Sequence, residues 1–297
     1  MSYQFSADKV TTVKLIKKKE KREKIVALTA YDFPTARILD EAGVDLILVG
    51  DSAANVVYGK PTTLSIGMEE MLYHTRAVVA GVKRALVVAD MPFLSYQVSI
   101  EKTIENAGSF LQAGAEAIKI EGAGSAILEM VERLVDYGIP VMGHLGLTPQ
   151  AVHKLGGYRL QARRAEEQER LIADAQKLER AGCFSLVLEK IPAEVARRVT
   201  ETLRIPTIGI GAGPDCDGQI LVLHDMIGMF KEPPFKFVKR YAEIARLIQE
   251  AVENYVADVR SGRFPDKEHT FFSPAPSDPK GIPRQARNDG AEGDEGR

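Results

Sequence analysis

The chain has 297 residues, 45% of them hydrophobic, enough for one large domain or two ordinary ones around a sizeable packed core. Its formal net charge is −2, so there is no basic field to hold nucleic acid or an anionic membrane, and a small, neutral-to-acidic partner is expected. No segment approaches the roughly 20 apolar residues that span a bilayer, and the opening "MSYQFSADKV" has no secretory n- and h-regions, which points to the cytoplasm.

In chain order, "ADKVTTVKLIKKKEKREK" predicts a short helix able to close the N-terminal mouth of a barrel. Its Lys and Arg run is interleaved with Glu20 and Glu23, the pattern of a solvated face. Then come apolar runs bounded by turn signals, each a strand candidate: "KIVALTAYD", "VDLILVGDS", "ALVVADMPF", "EAIKIEG", "IPVMGHLGL", "FSLVLEK", "IPTIGIGAG" and "QILVLHD". Between most of them, helical spacing marks Pro34 to Ala42, Met68 to Lys83, Ile104 to Ala113, Ala126 to Tyr137, Glu166 to Ala181 and Ala193 to Leu203.

Continuous Val/Ile/Leu runs indicate strands buried on both faces, which parallel sheets require. About eight such units in about 250 residues is the count of a (β/α)₈ TIM barrel. A doubly wound open sheet is the rival, but "GIGAG" at Gly209 to Gly213 does not match G-x-G-x-x-G opening a helix. That pentapeptide marks either closely packed backbone or room for a ligand. Phe235 to Arg260 predicts a long closing helix. The expectation is therefore a single catalytic domain over residues 1–272, followed by a Pro/Gly/charge-rich tail, 273–297, that lacks the apolar surface to order itself. Cys183 and Cys216 stand alone, as buried thiols of a reducing compartment do.

Three successive strand candidates end in an acid: Asp51, Asp90 and Glu121. A fourth acid, Glu189, closes "SLVLEK". In a parallel barrel all C-terminal strand ends point to one mouth, so these residues converge. Crowded carboxylates raise one another's pKa unless they share protons or a cation, and an all-oxygen set with room for water and substrate favours Mg²⁺. In "IKIE", Lys119 shares a strand face with Glu121, so it faces the barrel interior. Its partner is either a substrate carboxylate or Glu121 itself. The fifth strand ends in "GHLGLTPQ", placing His144 at the mouth as an orienting group or, less simply, a proton carrier. The aperiodic stretch to Arg164 has the length of an active-site lid.

The motifs "VGDS", "ADMPF", "KIEG", "GHLGLTPQ", "GGY", "LVLE", "IGIGAG", "DGQILVLHD" and "FPDKEH", in this order over roughly Thr11 to Phe272, resemble the ketopantoate hydroxymethyltransferase family. The resemblance implies a (β/α)₈ barrel in a large homo-oligomer, commonly a decamer. It also implies transfer of a one-carbon unit from 5,10-methylenetetrahydrofolate to 3-methyl-2-oxobutanoate, giving 2-dehydropantoate. By motif, Asp51, Asp90 and Glu121 match Mg²⁺ ligands. Asp51, Ser52, Asp90 and Lys119 match the substrate site, and Glu189 matches the catalytic base. Departures lie in "GGYRLQAR", where the family usually has GGYKVQGR, and in "DSAANVVYG" after Asp51.

The chemistry expected from these residues is an enolate. A 2-oxo acid chelated by Mg²⁺ loses its C3 proton to Glu189 and attacks the folate-borne carbon, while Lys119 holds the carboxylate. The alternatives are a Mg²⁺-dependent C–C lyase or mutase of the phosphoenolpyruvate mutase/isocitrate lyase type, which needs no folate, and a non-catalytic binding protein on a barrel scaffold.

Overall fold

The computed structural model describes residues 9–273, so the predicted tail lies, from residue 274 onward, outside the described residues. The chain falls into two compact units, one running to Ala245 and one starting at Arg246. The first holds eight strands: β1 Ile25–Thr29, β2 Leu46–Val49, β3 Leu86–Asp90, β4 Ala117–Glu121, β5 Val141–Gly146, β6 Ser185–Glu189, β7 Thr207–Ile210 and β8 Gly218–Leu221. Seven of the predicted apolar runs contain their strand whole, and β8 begins at Gly218, one residue before the run "QILVLHD". All neighbours pair in parallel, and β8 pairs with β1 (Ala27 opposite Ile220), so the sheet closes into a barrel and the open-sheet alternative is excluded.

Helices follow the strands: α1 Thr12–Glu20 precedes β1, then α2 Phe33–Glu41, α3 Ala53–Val56, α4 Met68–Gly81, α5 Ile100–Gln112, α6 Ser125–Asp136, α7 Val152–Leu155, α8 Ala165–Arg180, α9 Ala193–Thr202 and α10 Leu223–Met226. The longer ones match the predicted spans to within a few residues. α3, α7 and α10 have four residues each, too short to show a helical period in the sequence.

Period-two alternation divides the strands between two cores. Ile118 and Ile120 pack outward with the helices, whereas Ala117 packs inward beside Ile25, Leu46, Leu86 and Met142. α1 closes the N-terminal end of this inner core. Thr11 caps it by accepting from the Lys14 amide, and fully buried Leu15 joins the inner cluster, a burial that stabilises by about 2 kcal/mol. Lys18 and Lys19 then reach Asp45 and Asp217 at 3.0 and 2.8 Å, residues that precede β2 and β8. With its floor filled and sealed, the barrel has room for a ligand at the opposite mouth.

The predicted helix from Phe235 is shorter than expected: α11 spans Ile244–Ser261. Pro233 and Pro234 have no amide hydrogens to give. Beyond them the Tyr241, Ile244 and Ala245 amides donate to the Met226, Ile227 and Gly228 carbonyls, so the segment is held by α10 and its C-terminal turn rather than by its own ladder. In the second unit, α11 exposes Leu247, Ile248, Val252, Tyr255 and Val259. Among the described residues no helix is long and apolar enough to cross a membrane.

Candidate active site

The apolar run of β2 stops on Asp51 because the strand there reaches the C-terminal mouth. Asp90 and Glu121 are the last residues of β3 and β4, Glu189 is the last of β6, and His144 lies within β5. The register aligns them: Asp90 stands opposite Lys119, Glu121 opposite His144, and Gly146 opposite Glu189. Asp51, Ser52, Asp90, Lys119, Glu121, His144 and Glu189 all line one cavity of about 350 Å³, so the structure brings together every site residue expected from the sequence.

Asp51, Asp90, Lys119, Glu121 and His144 are each buried. Lys119 Nζ lies 2.8 Å from Asp90 Oδ1, 3.5 Å from Glu121 Oε1 and 3.3 Å from His144 Nδ1. His144 Nδ1 is 3.2 Å from Glu121 Oε1, and its Nε2 is 3.3 Å from Glu189 Oε2. A doubly protonated imidazole donates from Nδ1 to Glu121 and meets Glu189 through Nε2 as an ionic contact without a hydrogen bond, and its contact with the ammonium is then proximity alone. His144 thus stands between Glu121 and Glu189. Lys119 is paired with protein carboxylates as well as facing the cavity. Ser52 is held from behind by the Tyr31 hydroxyl at 2.8 Å.

Crowding separates the ionisation of these groups. Burial, then the charges of Asp90 and Glu121, push the Asp51 carboxyl well above the usual range, only partly offset by Lys119 and Gln150. Asp90 is also raised, burial outweighing its contact with Lys119. For Glu121, burial is outweighed by Lys119, His144 and the Gln150 amide, and its carboxyl sits below the usual range. Burial and Lys119 oppose protonation of His144, but Glu121 and Glu189 overcome them and carry its pKa up to about 9.

Among the described residues no three His, Cys, Asp or Glu side chains stand as a ready-made metal cluster. The reason is visible in Glu121: Oε1 is engaged by Lys119 and His144, and Oε2 accepts the Gln150 amide at 3.0 Å. Asp51 and Asp90 are different. They meet directly, the Asp51 amide donating to Asp90 Oδ2 at 3.2 Å. Buried Asp90 Oδ1 has the ionic contact with Lys119 and no hydrogen bond. Two crowded carboxylates with open lone pairs and no sulfur or nitrogen ligand fit a hard divalent ion held by few protein groups, with the remaining positions left to water and substrate.

The loop after β5 borders the cavity through Leu147, Pro149 and Tyr158. It is tied to the far side of the site, Gln161 donating its amide to the Lys190 carbonyl and Lys190 Nζ donating to the Tyr158 carbonyl. The mouth is further lined by Phe230, Phe235 and Phe237, with Lys190 Nζ 5.5 Å over the Phe235 ring. Sequence reading missed three polar residues: Tyr31, Tyr96 and Gln150. The available signal was slight, a glutamine directly after proline at the end of "GLTPQ".

A closed parallel barrel whose C-terminal mouth gathers buried carboxylates, a lysine and a histidine around one cavity defines a barrel enzyme. The chain belongs to the ketopantoate hydroxymethyltransferase family, whose profile matches residues 9–267, and it is a hydroxymethyltransferase. It is 55% identical over 267 residues to the 3-methyl-2-oxobutanoate hydroxymethyltransferase of Prosthecochloris aestuarii, covering 88% of this chain and 96% of that one. It is also 55% identical over 260 residues to the enzyme of the same name from Thermococcus kodakarensis, covering 88% and 90%. Among solved structures, a phosphonopyruvate hydrolase complexed with oxalate and Mg²⁺ superposes with a TM-score of 0.56 at 14% identity, covering 87% of this chain and 92% of that one. A 2,3-dimethylmalate lyase of the PEP mutase/isocitrate lyase superfamily gives 0.56 at 18% identity, covering 87% and 91%. At these identities the two share the fold with this chain.

Proposed function

We propose that the enzyme transfers a hydroxymethyl group from 5,10-methylenetetrahydrofolate to 3-methyl-2-oxobutanoate, giving 2-dehydropantoate, with Mg²⁺ as its resident ion. The observation that carries this reading is the convergence of Asp51, Asp90, Lys119 and Glu189 on one cavity. The names of the relatives support the substrate. The phosphonopyruvate hydrolase of similar fold was solved with oxalate and Mg²⁺ bound, a pairing of small diacid and divalent ion that suits a barrel of this kind.

Asp51 and Asp90 would hold the ion, with Glu121 completing the acidic set. When bound, it supplies Lewis-acid polarisation of the oxo acid's carbonyl, which acidifies C3–H. Ser52, held by Tyr31, and the Lys119 ammonium receive the substrate carboxylate. Glu189 takes the C3 proton, C3 forms its new bond to the one-carbon unit as that carbon's two bonds to folate nitrogens break, and water supplies the hydroxyl oxygen, so that tetrahydrofolate leaves with one proton from C3 and one from water. His144 orients Glu189 from one side and Glu121 from the other. The aromatic mouth formed by Tyr158, Phe230 and Phe235 leaves space beyond the acids for the folate donor. Two buried free thiols suit a cytoplasmic setting, and the exposed apolar stripe of α11 supplies contact surface for a homo-oligomer, a decamer by resemblance.

The test is formation of 2-dehydropantoate from the two substrates, with and without chelator and with folate omitted. Loss of product in both omissions is expected. Turnover of the oxo acid without folate would instead favour the lyase or mutase alternative, and full activity in chelator would remove the ion from the scheme.

A further inference from the structure

Gln150 does not line the cavity, yet it holds two of the acids that do. It is buried, in the single turn Pro149–Ala151 that opens the loop after β5. Its main-chain amide donates to Glu121 Oε2 at 3.0 Å, and its side-chain Nε2 donates to Asp51 Oδ2 at 3.0 Å and to the Met91 carbonyl at 2.9 Å. Its Oε1 accepts from the Tyr96 hydroxyl at 2.7 Å and, more weakly, from Gln97 Nε2 at 3.5 Å.

The orientation of this amide is forced. The Met91 carbonyl can only accept, so the nitrogen faces Met91 and Asp51. On the other side the Glu121 amide can only donate, at 3.4 Å to the Tyr96 oxygen, which leaves the Tyr96 proton for Gln150 Oε1. Both NH₂ protons of Gln150 are thereby used, one of them on a carboxylate oxygen of Asp51. Asp51 is left with its other oxygen free to turn toward the cavity, and its rotamer is locked by a residue of the loop.

We propose that Gln150 is the positioning residue of the cation site: from the loop after β5 it holds Asp51 in the ligating orientation. The inference rests on the divalent-ion reading above. In the Gln150→Met variant, which keeps length and apolar bulk but donates nothing, calorimetry with Mg²⁺ and 3-methyl-2-oxobutanoate should show affinity lower by about 10- to 100-fold, the range for partners of metal ligands. KM for the oxo acid should rise in parallel. Tyr96→Phe leaves Gln150 in place but frees the amide to turn, so it should weaken binding in the same direction by less. Adding it to Gln150→Met should cause less than the product of the two losses, because both act through the Gln150–Asp51 contact, although Tyr96 also accepts from the Glu121 amide.

A merely structural role predicts a lower melting temperature with unchanged Mg²⁺ and oxo-acid affinity in the folded protein, and that result overturns the proposal. Multiplying losses in the double variant overturn it too. Should Gln150→Met fail to fold, Tyr96→Phe decides: wild-type affinity in that variant refutes the proposal. If wild-type protein itself shows no Mg²⁺-dependent binding of the oxo acid, the ion reading falls and takes the proposal with it, whereas normal wild-type binding with an unaffected Gln150→Met variant sinks the proposal alone.

Discussion

Replacing Lys119 with methionine nearly preserves side-chain length and removes the ammonium that lies 2.8 Å from Asp90 and 3.5 Å from Glu121. Both partners are buried, with side chains about 3% exposed, so water cannot replace the lost charge. Breaking a buried ion pair from one side costs about 3–5 kcal/mol, because the remaining carboxylates are left uncompensated. Asp51 and Asp90 are already raised by burial, with the Glu121 charge adding to both and that of Asp90 to Asp51, and the substitution removes the charge that most opposes this in Asp90. In chelator, the melting temperature should fall by roughly 10 °C for a chain of this size. A carboxyl whose folded-state pKa is raised destabilises progressively as pH climbs above its unfolded value, so the gap between variant and wild type should widen from acidic toward neutral pH. The control is Lys102→Met, whose partner Glu105 stands 2.9 Å away on an exposed helix face, where loss of the pair should cost at most about 0.5 kcal/mol. Denaturant titration of both variants in chelator measures the difference. A Lys119→Met protein within about 1 kcal/mol of wild type at neutral pH would refute the reasoning, since the desolvation cost of the ammonium would then cancel its pairing.

Glu189→Gln should lower turnover by about 10²-fold or more while keeping oxo-acid binding, and retained deuterium exchange at C3 would remove Glu189 from the role of base. Gly146 has φ +93°, and a Cβ there would run into the Glu189 carbonyl, so Gly146→Ala should cost about 3 kcal/mol or more in a denaturant titration; wild-type stability would contradict the packing at the β5 end. Burial pushes the Cys183 thiol up to about 12, against about 8.5 in an unfolded chain. The folded state therefore keeps a proton that the unfolded state releases, and stability should decline by about 2 kcal/mol between pH 8 and pH 10. Comparison with Cys183→Ala isolates this component, and identical pH slopes for the two proteins would show that the thiol is not excluded from water.

The eight strands were legible because each is a short Val/Ile/Leu-rich run buried on both faces, and the longer helices because their apolar residues recur at helical spacing. The acids at the ends of those runs were legible as a site once a parallel barrel was assumed, since such a barrel sends every C-terminal end to the same mouth. Local pattern failed at Phe235, where the carbonyls at the end of α10 took amides that a continuing helix would have used. Closure of β8 on β1, the interposition of Lys119 between Asp90 and Glu121, and the contact of His144 with Glu189 were decided in three dimensions. Gln150 shows the limit most plainly: it holds Asp51 across 99 positions of chain. Periodicity reports the face a residue presents, which is a property of its neighbours in sequence. Which donor meets which acceptor is set by the packing of distant segments, and for this site only the closed barrel with its loop in place settles it.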